Sequence, residues 1–335
     1  MNPILVEVAR GGHVESFHRG AAVVVDADGC VIQAWGDVER PIYPRSAVKP
    51  LQALPLVASD AADRFGLTDA EIALACGSHA GEPLHVATAE SMLRKASQDG
   101  SCLECGVHWP LSEAVTRELA GRGQLPSTLH NNCSGKHAGF ICLARHRGLD
   151  PVGYVKPDHP AMREVTKALA YVTGTVLNES CRAIDGCSIP TFAMPLRSVA
   201  TGFARLGTGC HLTSTLTSAA VRIRAAIAAA PFMLAGLGRF DTRIATAFGE
   251  AVLCKCGAEG VAAAAIPGQG LGLAVKIDDG AGRAAEVAMA ALLRRILPGP
   301  LADHDELSRS VDVSLHNWNG MVVGQVRACL PVSAH

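Results

Sequence analysis

Short runs of apolar, mostly β-branched residues lie near both ends of the chain and are separated by polar or glycine-containing turns. Near the start they occupy residues 4–8, 21–25 and 31–35, and the Asp-Ala-Asp-Gly sequence between the last two is typical of a hairpin turn. Near the other end they occupy residues 252–255, 261–266, 271–277 and 321–330. The pattern predicts that the chain begins and ends in β-sheet.

Between these strands the apolar residues recur at the three- and four-residue spacing of helices. The segments with this spacing are 49–65, 82–97, 112–120, 135–146, 159–171 and the alanine-rich stretch 219–230, with one later helix at 284–297. The sequence therefore predicts an α+β fold, with a mainly antiparallel sheet built from N- and C-terminal strands and a largely helical middle.

No internal repeat and no low-complexity linker marks a domain boundary. We predict a single catalytic unit over residues 1–335. In it, a helical subregion of about residues 49–250 is inserted between two sheet-forming segments, 1–48 and 251–335. The terminal strands are expected to share one sheet.

Composition and charge narrow the function classes. The 335 residues are 49% hydrophobic and 18% charged, which is typical of a globular protein. With 30 basic and 31 acidic residues the net charge is -1, so the chain has no basic field for nucleic acid or an anionic membrane. No signal-like start and no membrane-spanning run are found, and we expect a cytoplasmic protein. The 12 cysteines are then reduced thiols, metal ligands or core residues.

The first candidate for catalysis is an S-x-x-K element, Ser46 to Lys49, which follows an extended Pro-Arg pair and opens a helical segment. Its serine and lysine lie one turn apart on one face. A lysine in that position can deprotonate a serine if burial or a nearby cation lowers its pKa from about 10.4 toward neutrality. Taken alone, the pattern equally describes a serine that caps a helix, followed by a surface lysine.

A second serine, Ser78, stands in the small-residue segment C-G-S-H-A-G-E. Such a turn exposes backbone N–H groups and a hydroxyl, from which an oxyanion-binding site or a second nucleophile can be built, although a helix start explains it equally well. Lys255, in the later segment K-C-G-A-E-G, is the lysine available to serve Ser78 or to lower the pKa of Lys49 by like-charge repulsion. A solvated lysine at a strand end is the alternative.

The densest polar cluster is H-N-N-C-S-G-K-H-A-G, directly before an apolar helix. It lacks the spacing of a phosphate-binding loop, and we reject nucleotide binding. Cys133 lies one turn from Lys136 and from His137, a spacing at which two side chains can reach one metal ion. Cys187, in the segment D-G-C-S-I-P, can complete such a site with Cys133, although two free core cysteines are the simpler explanation.

As an ordered set, these motifs closely resemble those of the rhizobial-type, class 3 L-asparaginases. The matching segments are P-R-S-A-V-K-P, C-G-S-H-A-G-E, H-N-N-C-S-G-K-H-A-G, D-G-C-S-I-P, and K-C-G-A-E-G with the later K-I-D-D-G. Each is weak alone, but together they are specific and span nearly the whole chain.

The resemblance implies a homodimer with a fold similar to serine β-lactamases and glutaminases, which hydrolyses the side-chain amide of L-asparagine to L-aspartate and ammonia. It also implies a role for each matching residue. Ser46 with Lys49 and Ser78 with Lys255 would be the two catalytic serine–lysine tandems. Zinc would be bound by Cys133, Lys136 and Cys187. Asp185 would hold the substrate, with Arg45 and His137 as supporting groups.

These implied roles have a consistent chemistry. We expect Ser46 to attack the amide carbonyl with Lys49 as its base, and Asp185 to meet the α-ammonium of the substrate. A lysine must lose its proton to bind zinc, which the ion itself can drive. Because zinc need not touch the amide carbonyl, we expect it to shape the pocket rather than act as a Lewis acid.

Two alternatives stay open at this stage. The first is a glutaminase or another serine amidohydrolase of the same fold, since one methylene gives only about 1–3 kcal/mol of discrimination. The K-T-G element of β-lactam-binding enzymes is absent from the sequence, which argues against that substrate class. The second is a non-enzymatic zinc or redox sensor built on Cys133, Cys181 and Cys187, which leaves both serine–lysine elements unexplained.

Overall fold

The computed structural model describes residues 1–330, which fall into two units. We call them the sheet unit, residues 1–48, 193–208 and 254–330, and the helical unit, residues 49–192 and 209–253. The segment 193–208 belongs to the sheet unit although it lies inside the interval predicted as the helical subregion. The prediction of a single catalytic unit over the whole chain stays a prediction.

Strands from both ends of the chain form the main sheet, as the sequence predicts. Its order is β11-β12-β1-β2-β10-β9-β8, with β3 beside β2, and the shorter strands form two small pairs, β4-β7 and β5-β6. The strands are β1 (Ile4–Arg10), β2 (His13–Val25), β3 (Val31–Trp35), β4 (Pro41–Ile42), β5 (Arg182–Ile184), β6 (Pro190–Phe192), β7 (Met194–Pro195), β8 (Leu253–Gly257), β9 (Val261–Ile266), β10 (Leu271–Ile277), β11 (Asp312–His316) and β12 (Val322–Ala328).

Antiparallel pairing joins the two ends of the chain. Strand β1 pairs with β12, with Val8 opposite Val326, and β2 pairs with β10, with Val23 opposite Ala274. The α+β prediction, with N- and C-terminal strands in one mainly antiparallel sheet, is confirmed. Strand β11 was not predicted, although Val313 and Leu315 alternate with polar residues; the run is only five residues long and mostly exposed.

Every segment predicted to be helical contains helix, but five of the helices observed in the described residues, at residues 69–75, 196–208, 232–235, 240–248 and 305–311, lie outside the predicted segments. The helices are α1 (Lys49–Gln52), α2 (Leu54–Ala58), α3 (Ala61–Arg64), α4 (Asp69–Ala75), α5 (Pro83–Lys95), α6 (Glu113–Gly121), α7 (Ser134–His146), α8 (Pro160–Thr173), α9 (Leu196–Thr208), α10 (Ser214–Ala229), α11 (Phe232–Ala235), α12 (Phe240–Phe248), α13 (Gly282–Ile296) and α14 (Asp305–Val311). None of the helices in residues 1–330 is long and apolar enough to cross a membrane.

The prediction of one continuous helix over residues 49–65 is wrong, because the chain forms three short helices there. Pro55, in the first turn of α2, has no N–H to continue a ladder from α1. Asp60, just before α3, adopts a left-handed backbone with φ +65°, which ends α2. The helical spacing of apolar residues in the sequence continues across both breaks, because each of the three short helices contains buried residues.

Small side chains form the centre of the sheet unit. Strand β9, V-A-A-A-A-I, is buried along its whole length, and so is the second half of β2. Helices α9 and α13 both pack against β9 and β10. Alanine and valine suit these strands because they fill the close space between sheet and helices, and the rigid sheet then fixes the position of β8.

Candidate active site

Ser46 lies in a short 3-10 turn, Arg45–Val48, in the sheet unit. The N–H of Ala47 donates to the carbonyl of Pro44 at 3.1 Å, which closes the turn. Arg45 has φ +51°, a left-handed backbone that a residue with a side chain rarely adopts. Such conformations concentrate at functional sites, where the surrounding structure holds them in place. Ser46 itself is half-buried.

The end of strand β8 packs directly against this turn. A Cβ placed on Gly257 would lie 2.7 Å from the carbonyl oxygen of Pro44 and 2.9 Å from the backbone nitrogen of Ala47. Glycine is therefore required for the strand to approach so closely. Because residues two apart on a strand share a face, Lys255 points to the same side of β8 as the Ser46 turn. Its ammonium is fully buried and donates to the carbonyl of Cys256 at 2.8 Å.

Lys49 begins α1 and is almost completely buried in the helical unit. Its Nζ donates to the carbonyl of Gly77 at 2.5 Å and to that of Asn132 at 3.4 Å. A neutral amine has two N–H bonds and one lone pair, so a deprotonated Lys49 keeps both carbonyl contacts while its lone pair takes a proton. Lys49 also lowers the pKa of the Cys133 thiol, which places it between the Ser78 turn and Cys133.

The turn that carries Ser78 follows α4 and is fixed by hydrogen bonds to two other segments. The N–H of Ser78 donates to the carbonyl of Leu234 at 2.8 Å, and the N–H of His79 donates to that of Asn132 at 3.2 Å. A Cβ on Gly77 would lie 2.6 Å from the carbonyl oxygen of Met233, so this turn also requires a close backbone approach. Within residues 1–330 the buried Ser78 Oγ has no hydrogen-bond partner, which is unusual for a hydroxyl.

Two thiols and an amine meet beside the start of α7. Cys133 precedes the helix, Lys136 is in its first turn, and Cys187 lies in the turn between β5 and β6. Lys136 Nζ is 3.0 Å from Cys187 Sγ, and all three side chains are at least 95% buried, at 4%, 2% and 5% exposure. The structure brings together the three residues that the resemblance implies as zinc ligands, and their binding of zinc stays a prediction.

The three groups share charge in a defined way. A hydrogen bond from Cys187 lowers the pKa of Cys133 well below its ordinary value, against the effect of burial. The same hydrogen bond and burial raise the pKa of Cys187, which keeps its proton. Burial opposes the charge of Lys136, but the two sulfurs beside it raise its pKa. These directions favour a deprotonated Cys133 beside a charged Lys136.

Asp185 begins the turn that also presents Cys187. The N–H of Gly186 donates to its carboxylate at 2.7 Å, and the N–H of Asp185 donates to the carbonyl of Ile189 at 2.8 Å. Its charge raises the pKa of Lys136. A half-buried carboxylate held by backbone at the rim of the cluster is suited to an ammonium group.

His137 is held by a tyrosine that the sequence reading missed. Tyr154 Oη is 2.5 Å from His137 Nδ1 and accepts the N–H of Glu104 at 3.0 Å. Among the described residues Nδ1 is the only acceptor for the phenol O–H, so Tyr154 donates a hydrogen bond to Nδ1 and the histidine carries its own proton on Nε2. Burial lowers the pKa of His137 well below its ordinary value, which keeps the ring neutral. In the part of the chain described, buried Nε2 has no partner.

The cluster fits zinc by its chemistry. Two cysteines and one nitrogen donor within reach of one another leave a fourth position of a tetrahedral site open. Among residues 1–330, no group of three His, Cys, Asp or Glu side chains is placed to hold a metal. A three-ligand site at this cluster would use the amine of Lys136 as its third ligand.

The residues predicted to form one site are divided between the two units. The helical unit brings together Lys49, Ser78, Cys133, Lys136, His137, Asp185 and Cys187, and the sheet unit holds Arg45, Ser46 and Lys255. Residues that the sequence reading did not assign are Gly257, His79 and Tyr154. Gly257 and His79 stand inside quoted motifs, while Tyr154 has no motif around it.

The sheet unit thus presents Ser46 in a turn with a left-handed residue, and the helical unit presents a buried serine, a buried lysine and a half-buried carboxylate. The chain belongs to the L-asparaginase II family, whose family model matches residues 6–328. Membership identifies it as an amidohydrolase and supports L-asparaginase activity. This agrees with the resemblance found in the sequence. A search of curated proteins found no match.

Solved structures were found at low similarity. A β-lactamase from Mycobacterium bovis is 17% identical, with 82% of this chain and 94% of that chain covered and a TM-score of 0.43. A mutant of simvastatin synthase from Aspergillus terreus is 15% identical, with 87% and 90% covered and a TM-score of 0.38.

Proposed function

We propose that the protein hydrolyses the side-chain amide of L-asparagine to L-aspartate and ammonia through a serine–lysine mechanism. The observation that carries the proposal is the ordered set of serine and lysine elements in a chain of the L-asparaginase II family. An amide carbonyl is a poor electrophile, so its hydrolysis requires an activated nucleophile and donors for the developing oxyanion.

Ser46 is the proposed nucleophile, with Lys49 as its base. Ser46 Oγ attacks the side-chain carbonyl while Lys49 Nζ takes the hydroxyl proton, and the C–N bond then breaks as that proton passes to the leaving ammonia. Water hydrolyses the acyl-enzyme in the reverse sense and releases aspartate. The half-buried position of Ser46 after the strained Arg45, and the carbonyl contacts of Lys49, support this assignment.

Ser78 is the proposed proton relay or oxyanion donor, since its buried hydroxyl has no partner in the described residues. Lys255 is assigned to keep the local potential positive. Its position on the face of β8 that packs against the Ser46 turn supports an action on Ser46.

Substrate selection is assigned to Asp185, which would form a charge-assisted hydrogen bond with the α-ammonium. Arg45 and His137 are proposed to support binding, Arg45 as a cation and His137 through its Nε2–H. This set distinguishes an amino acid from a plain amide.

Zinc is proposed to bind Cys133, Lys136 and Cys187, where it would replace the protons that these groups now share. When bound, the ion would supply a fixed positive centre that organises the pocket wall beside Asp185. Metal depletion is expected mainly to raise KM for asparagine, and a complete loss of kcat would contradict the proposal. Replacement of Cys187 by alanine should abolish zinc binding, measured by metal content, whereas replacement of the exposed Cys210 should not.

We also propose a cytoplasmic homodimer with L-asparagine as its small-molecule partner, on the strength of the resemblance. Analytical ultracentrifugation at several concentrations tests the dimer directly.

The deciding experiment is ammonia release by the purified protein from L-asparagine and L-glutamine. The Ser46→Ala and Ser78→Ala variants accompany the wild type, with Ser218→Ala, an exposed serine of α10, as the control. Asparagine-selective release that Ser46→Ala abolishes supports the proposal. Equal release from glutamine favours the broader amidohydrolase alternative, and release from neither amide with zinc supplied overturns the proposed activity.

A further inference from the structure

His79, the residue after Ser78, is fully buried and makes hydrogen bonds at both ring nitrogens. The N–H of Gly81 donates to its Nδ1 at 3.1 Å, and its Nε2 is 2.9 Å from Ser134 Oγ. Because Nδ1 accepts a hydrogen bond from the backbone N–H of Gly81, the ring hydrogen is on Nε2, which donates a hydrogen bond to Ser134 Oγ.

The chain of donors continues beyond the ring. Ser134 Oγ in turn donates to the carbonyl of Leu129 at 2.9 Å, in the segment that leads into α7. Ser134 stands directly between Cys133 and Lys136 in sequence. His79 therefore joins the turn that presents Ser78 to the start of the helix that presents the thiol–amine cluster.

The backbone supports the same connection. The N–H of His79 donates to the carbonyl of Asn132, which also receives Lys49 Nζ. The ring of His79 stacks on that of His85 with centroids 5.0 Å apart, so it cannot turn away without disturbing a second buried ring. His85 has its own partners, the N–H of Glu82 and the carbonyl of Phe232, and does not reach α7 through them.

A purely structural role would need only the ring's volume and its contact with His85. The hydrogen bond to Ser134 adds something different, a fixed distance between the Ser78 turn and α7. Networks of buried hydrogen bonds of this kind rigidify a site, since breaking one member leaves another polar group unsatisfied.

We propose that His79 is a positioning residue that, through Ser134, holds the Ser78 turn at a fixed position against the start of α7. The inference rests on the proposed function, in which Ser78 relays protons or donates to the oxyanion. Loss of the link should lower kcat with little change in KM, because it misplaces a group that acts in the reaction rather than in substrate binding.

Two substitutions of His79 test the hydrogen bonds of its two ring nitrogens separately. Asparagine places its amide near the position of Nδ1 and can accept from Gly81 but cannot reach Ser134. Glutamine is longer and can donate to Ser134 from near the position of Nε2. We expect His79→Asn and Ser134→Ala each to lower kcat about tenfold or more, while His79→Gln keeps it within about threefold of the wild type. The double variant His79→Asn/Ser134→Ala should lose no more than either single one.

Thr173→Val serves as the matched control. It removes a buried hydroxyl that donates to the carbonyl of Leu169 in α8, and should lower the melting temperature without lowering kcat. The inference is overturned if His79→Asn and His79→Gln behave alike, or if the losses of His79→Asn and Ser134→Ala multiply in the double variant.

A measurement without substrate distinguishes failure of this inference from failure of the proposed function. In protein labelled with ¹⁵N-histidine, His79 Nε2–H should give a slowly exchanging ring resonance that is shifted or lost in Ser134→Ala. A wild type that is inactive but shows this change would refute the proposed activity and leave the link intact. An active wild type without it, or with a fully active Ser134→Ala, would refute the link and leave the activity standing.

Discussion

The two serine turns are held in place by different means. The Ser46 turn is shaped by steric fit, with a left-handed residue at Arg45 and a strand that touches it through Gly257. The Ser78 turn also has a tightly packed glycine, but it is held in addition by hydrogen bonds from its backbone to the carbonyls of Leu234 and Asn132 and from the His79 ring to Ser134.

The difference indicates how each turn tolerates change. A sterically fixed turn responds to any added atom, since protein interiors have little free volume. A hydrogen-bonded turn responds instead to the loss of a donor or an acceptor. Ser46 is half-exposed, which fits a nucleophile, whereas the Ser78 hydroxyl is completely buried, which fits a supporting group.

The largest expected effect is the loss of kcat in Ser46→Ala, which should exceed the loss in Ser78→Ala. Ser46→Ala should lower kcat by about 10⁴-fold or more, as the loss of a nucleophile does, and Ser78→Ala by about 10²-fold, as the loss of a proton-transfer group does. Mass spectrometry of protein quenched during turnover should detect an acyl adduct on the peptide with Ser46 in both the wild type and Ser78→Ala. An adduct on Ser78 would reverse the assignment.

The next effect tests the steric contact at the Ser46 turn. Gly257→Ala should lower kcat about 10²-fold, because its Cβ would lie 2.7 Å from the carbonyl oxygen of Pro44 and must displace the turn. Gly268→Ala is the matched control in the same unit, since nothing lies within 4 Å of its Cβ. Steady-state kinetics and thermal melting should be measured for both. If Gly257→Ala is as active as Gly268→Ala, close packing does not position Ser46.

A smaller effect is expected at Tyr154. Tyr154→Phe removes the phenol that accepts from Glu104 and donates to His137, so the ring is no longer fixed with its proton on Nε2. We expect kcat/KM for asparagine to fall about tenfold. Tyr171→Phe, a half-exposed tyrosine of α8, is the control. The ¹⁵N shifts of His137 should move toward a mixture of tautomers, and unchanged shifts would exclude this role for Tyr154.

The smallest effect on activity is expected at Glu71, which stabilises the helix leading into the Ser78 turn. It caps α4 together with Thr68 and lies 2.6 Å from Lys95. Glu71→Gln should reduce the free energy of unfolding by about 2 kcal/mol and leave kcat nearly unchanged, because the loss falls on a buried, charge-assisted contact. Glu113→Gln, in an exposed pair with Arg117, should have little effect on either quantity.

The Glu71 contribution should depend on pH. Burial raises the pKa of Glu71, but hydrogen bonds from Lys95 and Thr68 lower it by more, so the pKa lies below its ordinary value of 4.5. The stabilisation is therefore present at neutral pH and is lost as the pH falls through this lowered pKa. Urea unfolding at pH 7 and in acid should show the wild type and Glu71→Gln converging only in acid. A constant difference would indicate that the charge is not responsible.

The sequence by itself determined the class of fold and most of the chemical groups. Runs such as V-A-A-A-A-I and L-G-L-A-V-K-I encode strands because burial selects apolar residues at every position, and the ordered motifs identified both serines, the lysines and the cluster residues. The breaks at Pro55 and Asp60 were missed because the spacing of apolar residues indicates only which side chains are buried. It does not reveal a break in the backbone between two helices that are both buried.

Only the tertiary structure decided which groups touch. Lys136 meets Cys187 across 51 residues, and His79 meets Ser134 across 55, while neither distance is encoded in any local pattern. The face of β8 that bears Lys255, the tautomer of His137 and the bond from His79 to α7 all follow from how helices and strands pack. Packing is set by the sum of many contacts across the chain, whereas a motif records only neighbours along it.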